Sequence, residues 1–348
     1  MSPLQFPAWD PVLIDLPGPI DIRWYGLMYI VGFAAAHHIF TRLARRRFLA
    51  IDPGAVGDLI VYCVLGTILG GRLGYALFYD HAMSDPTKLV RVWEGGLSFH
   101  GGLIGVMTAV ALFARKHRVP IGRVFDSAAL AVTPGIFAVR CANFINGELY
   151  GRVTEATSFC AMRFPTDEKA ERLMHLDLLR EYGGKRAEEL GVLVAYGKKP
   201  FTDLVALLPE KAPNGGDWNF LQEALDWSKV QSQVDYRYPS QLFEAAGEGL
   251  FTGLVLLVVW LLTRRRPLGR FAYGGVFLCC YAVVRFALEN FRQPDRQFRK
   301  EGDDLGTVLL GLTMGQTLCA GMFLLGAWML VHGLRHARDQ RADAEVAA

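Results

Sequence analysis

The stretch SQLFEAAGEGLFTGLVLLVVWLLTRRR, residues 240–266, decides the fold class of this chain. Its apolar run ends at three consecutive arginines, and no charged residue lies between Glu248 and those arginines. At about 1.5 Å per residue, a helix of about 20 residues crosses the hydrocarbon core of a membrane. The stretch therefore predicts a membrane-spanning helix over 240–263, with Glu244 and Glu248 near its start.

Six further apolar runs of similar length indicate that the chain crosses the membrane several times. Hydrophobic residues make up 52% of the 348, and charged residues only 20%, which is too apolar a balance for an ordinary soluble protein. The predicted fold class is an all-α polytopic membrane protein with seven transmembrane helices. The predicted spans are 23–41, 55–79, 98–114, 125–146, 240–263, 271–291 and 305–332.

The basic residues predict how these spans are oriented, since Lys and Arg concentrate on the cytoplasmic side of a membrane. Arginine-rich clusters follow spans one, three, five and seven, whereas the segment before Arg23 contains no Lys or Arg. The amino terminus is therefore predicted to be periplasmic and the carboxyl terminus cytoplasmic. The loop 292–304 argues mildly against this, because its basic residues would then be external, where its acidic residues and anionic headgroups would offset them.

The polar region between spans four and five, residues 152–236, contains no spanning run and predicts a periplasmic head or arm. Within it, residues 167–190 have apolar side chains at helical spacing and predict amphipathic helices. The predicted organisation is 1–151 for helices one to four and the amino-terminal segment, 152–236 for the head, 237–335 for helices five to seven, and 336–348 for a cytoplasmic tail.

Charged side chains inside the spans mark the predicted functional site, because each costs about 2.5–3.5 kcal/mol on insertion scales. Arg140 lies near the outer end of span four, where Asn143 and Asn146 share its face if the helix continues that far. Arg285 and Glu289 lie four residues apart near the outer end of span six. Two guanidinium groups at one depth form a suitable receptor for a lipid phosphate.

A structural alternative explains the same charges without any ligand. Arg285 would be neutralised by Glu289, and Arg140 by Glu148, as ion pairs between packed helices. For a single pair the two interpretations are about equal, and the presence of two arginines at one depth favours the ligand site.

The glycine-rich motif GGLSFHGGLIG, residues 95–105, begins span three at its outer end. Its glycines, including Gly101 and Gly102, allow backbone or lipid to approach closely, and free amides at a helix start favour an anion. His100 is then a candidate general base for a thiol, or a hydrogen-bond donor to phosphate. A lone histidine at a helix start is more often a hydrogen-bonded structural residue.

Two further polar residues lie in the spans. Tyr25, in RWYGLMY, could donate a hydrogen bond to lipid, but Trp24 and Tyr25 fit an interfacial aromatic belt better. Arg72, in GGRLGY, would pair with Glu244 or Glu248, and the glycines around Arg72 predict close helix packing.

These motifs together resemble the prolipoprotein diacylglyceryl transferase family over most of the chain. The resemblance implies a bacterial inner-membrane enzyme that transfers the diacylglyceryl group of phosphatidylglycerol to the lipobox cysteine thiol of a preprolipoprotein, releasing glycerol phosphate. It implies an active site facing the periplasmic leaflet, with no metal and no organic cofactor. The elements that carry it are RWYGLMY at 23–29, GGRLGY at 70–75, GGLSFHGGLIG at 95–105, RCANFINGELYG at 140–151, YPSQLFE at 238–244 and RFALENFRQPD at 285–295.

The resemblance also implies roles for individual residues. Arg140 matches the family's lipid-binding arginine, and His100, Glu148, Arg285 and Glu289 match further residues important in the family. From their chemistry and the shared depth of the arginines, we expect both arginines to bind the lipid phosphate, His100 to be the base, and the two glutamates to orient the arginines. The remaining residues that match the family's pattern, as binding or hydrogen-bonding groups, are Tyr25, Asn143, Asn146 and Gly151.

Two features depart from the pattern of the family. Val139 stands where glycine is expected, which would alter local packing. The arm at 152–236 is longer than expected for the family, so the resemblance does not establish that this arm captures the substrate.

Other function classes fit the sequence less well. A transporter or channel would use similar Arg–Glu pairs, but its site would lie near the midplane between repeats, and the chain shows no repeat. A metal-dependent phosphatidyl transferase would need clustered aspartates on membrane helices, and the spans have none. A structural scaffold leaves the charged residues unexplained, and the net charge of +3 gives no indication of a nucleic-acid partner.

Overall fold

The computed structural model describes residues 3–7, 9–16, 21–78, 98–170, 172–174, 227–294 and 306–337. These residues are mainly helical, with three short two-stranded antiparallel sheets. The helices are α1 (Trp24–Arg45), α2 (Val56–Phe78), α3 (Phe99–Lys116), α4 (Ile121–Ile145), α5 (Trp227–Val230), α6 (Ser240–Thr263), α7 (Ala272–Leu288) and α8 (Met314–Arg335). The paired strands are β1 (Val12–Ile14) with β2 (Ile22–Arg23), β3 (Val153–Thr154) with β4 (Tyr236–Arg237), and β5 (Thr307–Leu309) with β6 (Leu312–Thr313).

The chain divides into two compact units. The head unit consists of residues 1–9, 144–240 and 291–293, and the helical unit consists of residues 10–143, 241–290 and 294–348. Three of the predicted segments lie mostly outside the described residues: the arm helices at 167–190, the loop at 292–304 and the tail at 336–348.

Five helices in the described part of the chain are long and apolar enough to cross a membrane. They are α1, α4, α6, α8 and the run Pro53–Leu77, which contains nearly all of α2. The other two predicted spans are also helices, but α7 is shorter, with 17 residues, and the 18-residue α3 is not among those five. The helical, polytopic class predicted from the sequence is therefore confirmed.

The start of the last predicted span was wrong. Residues 307–313 form the hairpin β5–β6, and the helix begins only at Met314. Thr313 sets this boundary with a capping box, in which its hydroxyl accepts from the Gln316 amide and the Gln316 side chain accepts from the Thr313 amide, both at 3.1 Å. Leu310 and Gly311, at the turn, have φ angles of 50° and 75°, which no helix contains.

Helices α2 and α3 pack with their backbones in direct contact. A Cβ atom added to Gly105 would lie 1.9 Å from the carbonyl oxygen of Gly66, and one added to Gly101 would lie 2.2 Å from that of Gly70. No side chain fits at these positions. The prediction that the glycines around Arg72 serve close helix packing is confirmed.

Helix α6 contains a π-helical segment, Ala245–Phe251, that brings it against α4. The Thr252 hydroxyl donates to the Gly247 carbonyl at 3.0 Å within this widened turn. A Cβ atom on Gly249 would lie 2.7 Å from the Cα of Phe137, so only glycine permits this approach. Because Arg140 follows Phe137 by about one helical turn, its guanidinium group comes to lie beside the acids of α6.

A buried carboxylate fixes the start of α7 within the helical unit. Asp126 of α4 is fully buried and accepts hydrogen bonds from the amides of Phe271 and Gly274, both at 2.9 Å. Arg123 Nη1 lies 3.8 Å from Asp126 Oδ2. This cap from a neighbouring helix satisfies amides at the beginning of α7.

Candidate functional site

Arg140 is held by two glutamates of α6. Its Nη1 lies 2.9 Å from Glu244 Oε2, while its Nε and Nη2 donate to Glu248 Oε2 at 3.2 and 2.9 Å. Glu248 has no exposed surface, and the Tyr281 hydroxyl donates to the same oxygen at 3.4 Å. The guanidinium group is therefore fixed by two charge-assisted hydrogen bonds to Glu248 and by an ion pair with Glu244.

Arg285 of α7 faces the same glutamates less closely. Its Nη2 pairs with Glu289 Oε2 at 2.8 Å, but its Nε is 3.5 Å from Glu248 Oε1 and its Nη1 is 3.8 Å from Glu244 Oε1. The Nη1 atom is buried and makes no hydrogen bond to any of the described residues. Buried side-chain donors usually have an acceptor, so this atom offers a place for one.

Glu289 is in turn held by the start of α8. The Thr313 hydroxyl donates to Glu289 Oε1 at 3.0 Å. A Cβ atom on Gly315 would lie 2.6 Å from that same oxygen, so glycine leaves the space that the carboxylate occupies. The positioning of Glu289 thus depends on the end of the β5–β6 hairpin.

We call Arg140, Glu244, Glu248, Arg285 and Glu289 the charged cluster. Three carboxylates face two guanidinium groups, which leaves one formal negative charge in excess. The carboxylates orient both guanidinium groups, so the cluster is preorganised and does not have to form around a ligand. The cluster offers a donor at Arg285 Nη1 and a carboxylate capable of accepting a proton.

The pairing of Arg285 with Glu289 is confirmed, whereas the partners of Arg140 in the helical unit, Glu244 and Glu248, were not expected. Glu148 belongs to the head unit, where its carboxylate accepts from the Asn146 side chain at 3.3 Å, and its pairing with Arg140 stays a prediction. Arg140 contacts these two acids because α4 packs against α6, and the spacing of residues along the chain does not reveal which helices pack together. The sequence did show that Glu244 and Glu248 are unusual, since they lie four residues apart inside an apolar run.

The helix α4 ends before it reaches Asn146. Asn143 is buried within α4, but the helix stops at Ile145, so the shared face expected for Arg140, Asn143 and Asn146 does not extend to the third residue. Gly147, with a φ angle of 69°, ends the helix, and its amide donates to the Phe144 carbonyl at 2.9 Å.

Asn146, Glu148 and Gly151 belong to the head unit, where Gly151 occupies a tight position. A Cβ atom on Gly151 would lie 2.4 Å from the Phe291 carbonyl oxygen, and the Gly151 amide donates to the Tyr238 carbonyl at 2.8 Å. The Gly151 carbonyl accepts from Arg237 Nη1 at 3.4 Å. Only glycine fits this position, so packing alone accounts for it.

Arg237 organises the rest of the head unit around a buried ion pair with Asp167. Its guanidinium group also donates to Gln293 Oε1 at 3.2 Å and lies 4.9 Å from the ring centroid of Tyr150. Burial, and then the nearby Asp167 carboxylate, raise the pKa of the Tyr150 hydroxyl above its ordinary value. These contacts give the head unit a polar core of its own.

His100 is the second residue of α3, and its side chain is exposed. Ser98 caps this helix: its hydroxyl accepts from the Gly101 amide at 3.3 Å, and its carbonyl accepts from the Gly102 amide at 2.9 Å. The amides of both glycines therefore donate within the start of the helix. Ligand binding by Gly101 and Gly102 stays a prediction.

Tyr25 and Arg72 lie on other helices of the same unit. Tyr25 is half-buried near the start of α1, with its ring centroid 5.4 Å from that of Tyr29. Arg72 is buried in α2, and its Cζ lies 5.9 Å from the ring centroid of Tyr75. Within the part of the chain that the structure describes, no three His, Cys, Asp or Glu residues are grouped so that they could hold a metal ion.

Comparison with known proteins identifies relatives along nearly the whole chain. A family model described as prolipoprotein diacylglyceryl transferase matches residues 11–332. A phosphatidylglycerol–prolipoprotein diacylglyceryl transferase of Neisseria meningitidis serogroup C is 38% identical over 92% of this chain and 94% of its own length. Proteins of the same name from Paraburkholderia phytofirmans and Salmonella choleraesuis are 37% and 36% identical, each over 98% of this chain and over 98% and 99% of their own lengths.

Proposed function

The chain belongs to the prolipoprotein diacylglyceryl transferase family, and from that premise we propose both its substrates and the site that binds them. The enzyme transfers the diacylglyceryl group of phosphatidylglycerol to the lipobox cysteine thiol of a preprolipoprotein. The bond between the glycerol C3 carbon and the phosphate oxygen breaks, a carbon–sulfur thioether forms, and glycerol phosphate leaves. The thiol proton passes to a base in the site.

The buried Nη1 of Arg285 is the observation that carries this proposal. It is a cationic donor without a hydrogen bond to any described residue, and it lies in a cluster that fixes a second guanidinium group. A phosphate oxygen is an acceptor that matches an arginine in charge and geometry. We therefore place the phosphate of phosphatidylglycerol at Arg285, with Arg140 stabilising the charge that develops on the leaving phosphate.

The acids of the charged cluster act on the arginines and on the proton balance. Glu289 holds Arg285, and Glu244 with Glu248 holds Arg140, so both guanidinium groups are oriented before the lipid binds. The carboxylate in excess also offers an acceptor for the thiol proton, as an alternative to His100. A base is needed because a free thiol, with a pKa of about 8.5, is mostly protonated near neutral pH.

The other residues take roles that follow the pattern of the family. Tyr25, Asn143 and Asn146 hydrogen-bond the phosphate or the glycerol hydroxyls, and His100 is the preferred base. By the same pattern, Glu148 orients the arginines, and Gly101, Gly102 and Gly151 are positions of the substrate-binding site.

We place the enzyme in the bacterial inner membrane with seven spans, a periplasmic amino terminus and a cytoplasmic carboxyl terminus. The arginine clusters that follow spans one, three, five and seven support this orientation. The head at 152–236 and the charged cluster then lie on the periplasmic side, where preprolipoprotein signal peptides present the lipobox cysteine.

A transfer assay in liposomes tests this function. Purified protein, phosphatidylglycerol and a lipobox peptide should yield one thioether-linked peptide and one glycerol phosphate per turnover, both measured by mass spectrometry. The matched control is the same peptide with its cysteine replaced by serine, which should yield neither product. A well-folded wild-type protein that forms no thioether would overturn the proposal.

Replacing His100 by glutamine tests the choice of base. Glutamine keeps a hydrogen-bonding group but accepts no proton, so kcat/KM should fall by about a hundredfold. Unchanged turnover across the pH range would reject His100 and favour the excess carboxylate of the charged cluster.

A further inference from the structure

The hairpin β5–β6 presents apolar side chains that the fold does not cover. The sequence from Gly306 to Gln316, GTVLLGLTMGQ, contains no charged residue. Val308 and Leu309 are exposed, and Leu310 at the turn has 91% of its surface exposed. The hairpin therefore places three consecutive large apolar residues on the outside of the helical unit.

The turn of this hairpin is unfavourable for a leucine in water. Leu309 pairs with Leu312, so the loop consists of Leu310 and Gly311, both with positive φ angles of 50° and 75°. Two-residue turns of this kind favour Asn-Gly, since asparagine tolerates the left-handed region and its polar side chain is well solvated. Leucine tolerates this region less well, and its apolar side chain is poorly solvated. An apolar environment at the tip therefore accounts for Leu310 better than water does.

The position of the hairpin indicates what this environment is. The strand β6 leads directly into α8, a helix long and apolar enough to span a membrane, whose Leu318, Leu324 and Leu325 are exposed. Only Leu312 and Thr313 separate the apolar turn from this helix. Leu310 is three residues from Thr313, which is at most about 10 Å at the rise of an extended strand, and the Thr313 hydroxyl donates to Glu289 of the charged cluster.

We propose that the tip of this hairpin, Val308 to Leu312, inserts among the phospholipid acyl chains of the leaflet that borders the charged cluster. The insertion fixes Thr313, and with it Glu289, at the depth of the lipid headgroups. The hairpin then acts as a bilayer anchor next to the place where the lipid donor enters.

Contact with lipid is measured directly at the tip, without any need for catalysis. A Leu310→Cys variant of the full chain is labelled with an environment-sensitive fluorophore and reconstituted into vesicles with brominated acyl chains, which quench on contact. Thr157→Cys, at an exposed site of the head unit, is the matched control, and wild type labelled in parallel gives the background from the native cysteines. We expect strong quenching at position 310 and little at 157.

Equal quenching at the two positions overturns the proposal. So does fluorescence at position 310 that ignores brominated lipid but changes on addition of a lipobox peptide, because the tip would then contact the peptide. The quenching measurement needs no catalysis, so it tests the position of the tip even if the proposed transferase function fails.

A second variant, Leu310→Asn, separates membrane contact from folding, and this readout rests on the proposed function. Asparagine relieves the backbone at a positive φ, so a tip in water would tolerate it. An inserted tip would lose lipid contact, and KM for phosphatidylglycerol in vesicles should rise roughly fivefold to tenfold with kcat and KM for the peptide little changed. Leu310→Met keeps an apolar side chain and should match wild type; an unchanged KM in Leu310→Asn contradicts insertion.

Discussion

Replacing Arg140 by lysine should lower kcat/KM for diacylglyceryl transfer by at least about a hundredfold while the protein stays folded. Three guanidinium nitrogens of Arg140 meet Glu244 and Glu248 at 2.9 to 3.2 Å, and a single ammonium group cannot reproduce that geometry. The charge is kept, so the buried acids still face a cation. Loss of activity in a folded variant would then reflect the lost orientation of the guanidinium group.

The control for this prediction is Arg163→Lys in the head unit. Arg163 stacks over Tyr236 at 4.1 Å and donates to the Ser232 carbonyl, and neither partner belongs to the charged cluster. Activity should remain near wild type. Arg140→Ala, by contrast, should also destabilise the protein by about 3–5 kcal/mol, because two buried carboxylates lose their partner. Full activity in Arg140→Lys would remove Arg140 from the site.

Replacing Gly105 by alanine should give the largest loss of stability of any single methyl addition between α2 and α3. The added Cβ would lie 1.9 Å from the Gly66 carbonyl oxygen, and the obstacle is backbone that cannot rotate away. A cost of about 3 kcal/mol corresponds to a fall in the thermal unfolding midpoint of about 6 °C. Gly105→Ala should therefore lower the midpoint measured in detergent and reduce the fraction of monodisperse protein.

Gly102→Ala, on the same helix, is the matched control. A Cβ there would lie 3.6 Å from the Thr67 carbonyl oxygen, which is ordinary contact, and alanine is the better helix former. Its unfolding midpoint should equal or exceed that of wild type. Similar midpoints for Gly105→Ala and Gly102→Ala would show that α2 and α3 do not pack as described.

Hydrophobic periodicity was enough to predict the helical membrane class, because a bilayer requires long apolar runs with internally satisfied backbones. It failed at residues 307–313, where an apolar run forms a hairpin. Apolar runs of this length fit a helix or a strand equally well, and the deciding features were the positive φ angles of Leu310 and Gly311. The Thr-x-x-Gln capping box at Thr313 was a readable signal for the true start of α8.

The residues of the charged cluster were each visible in the sequence as charges inside apolar runs, but their partners were only partly predictable. Arg285 and Glu289 are neighbours on one helix, so their spacing was sufficient. Arg140 and Glu248 are 108 residues apart, and they meet because Gly249 lets the backbones of α4 and α6 approach. Contacts of this kind depend on the packing of the whole helical unit, which local patterns do not specify.

Binding of phosphatidylglycerol, measured apart from turnover, tests most directly the claim that the charged cluster holds the lipid phosphate. Native mass spectrometry of the protein in detergent compares retention of phosphatidylglycerol with that of diacylglycerol, which has the same chains and no phosphate. Wild type and Arg163→Lys should retain more phosphatidylglycerol than diacylglycerol. Arg285→Lys lacks the buried Nη1 donor, so its ratio of bound phosphatidylglycerol to bound diacylglycerol should be at least about tenfold lower than that of wild type. An undiminished preference in both Arg285→Lys and Arg140→Lys would place the phosphate elsewhere and contradict the account.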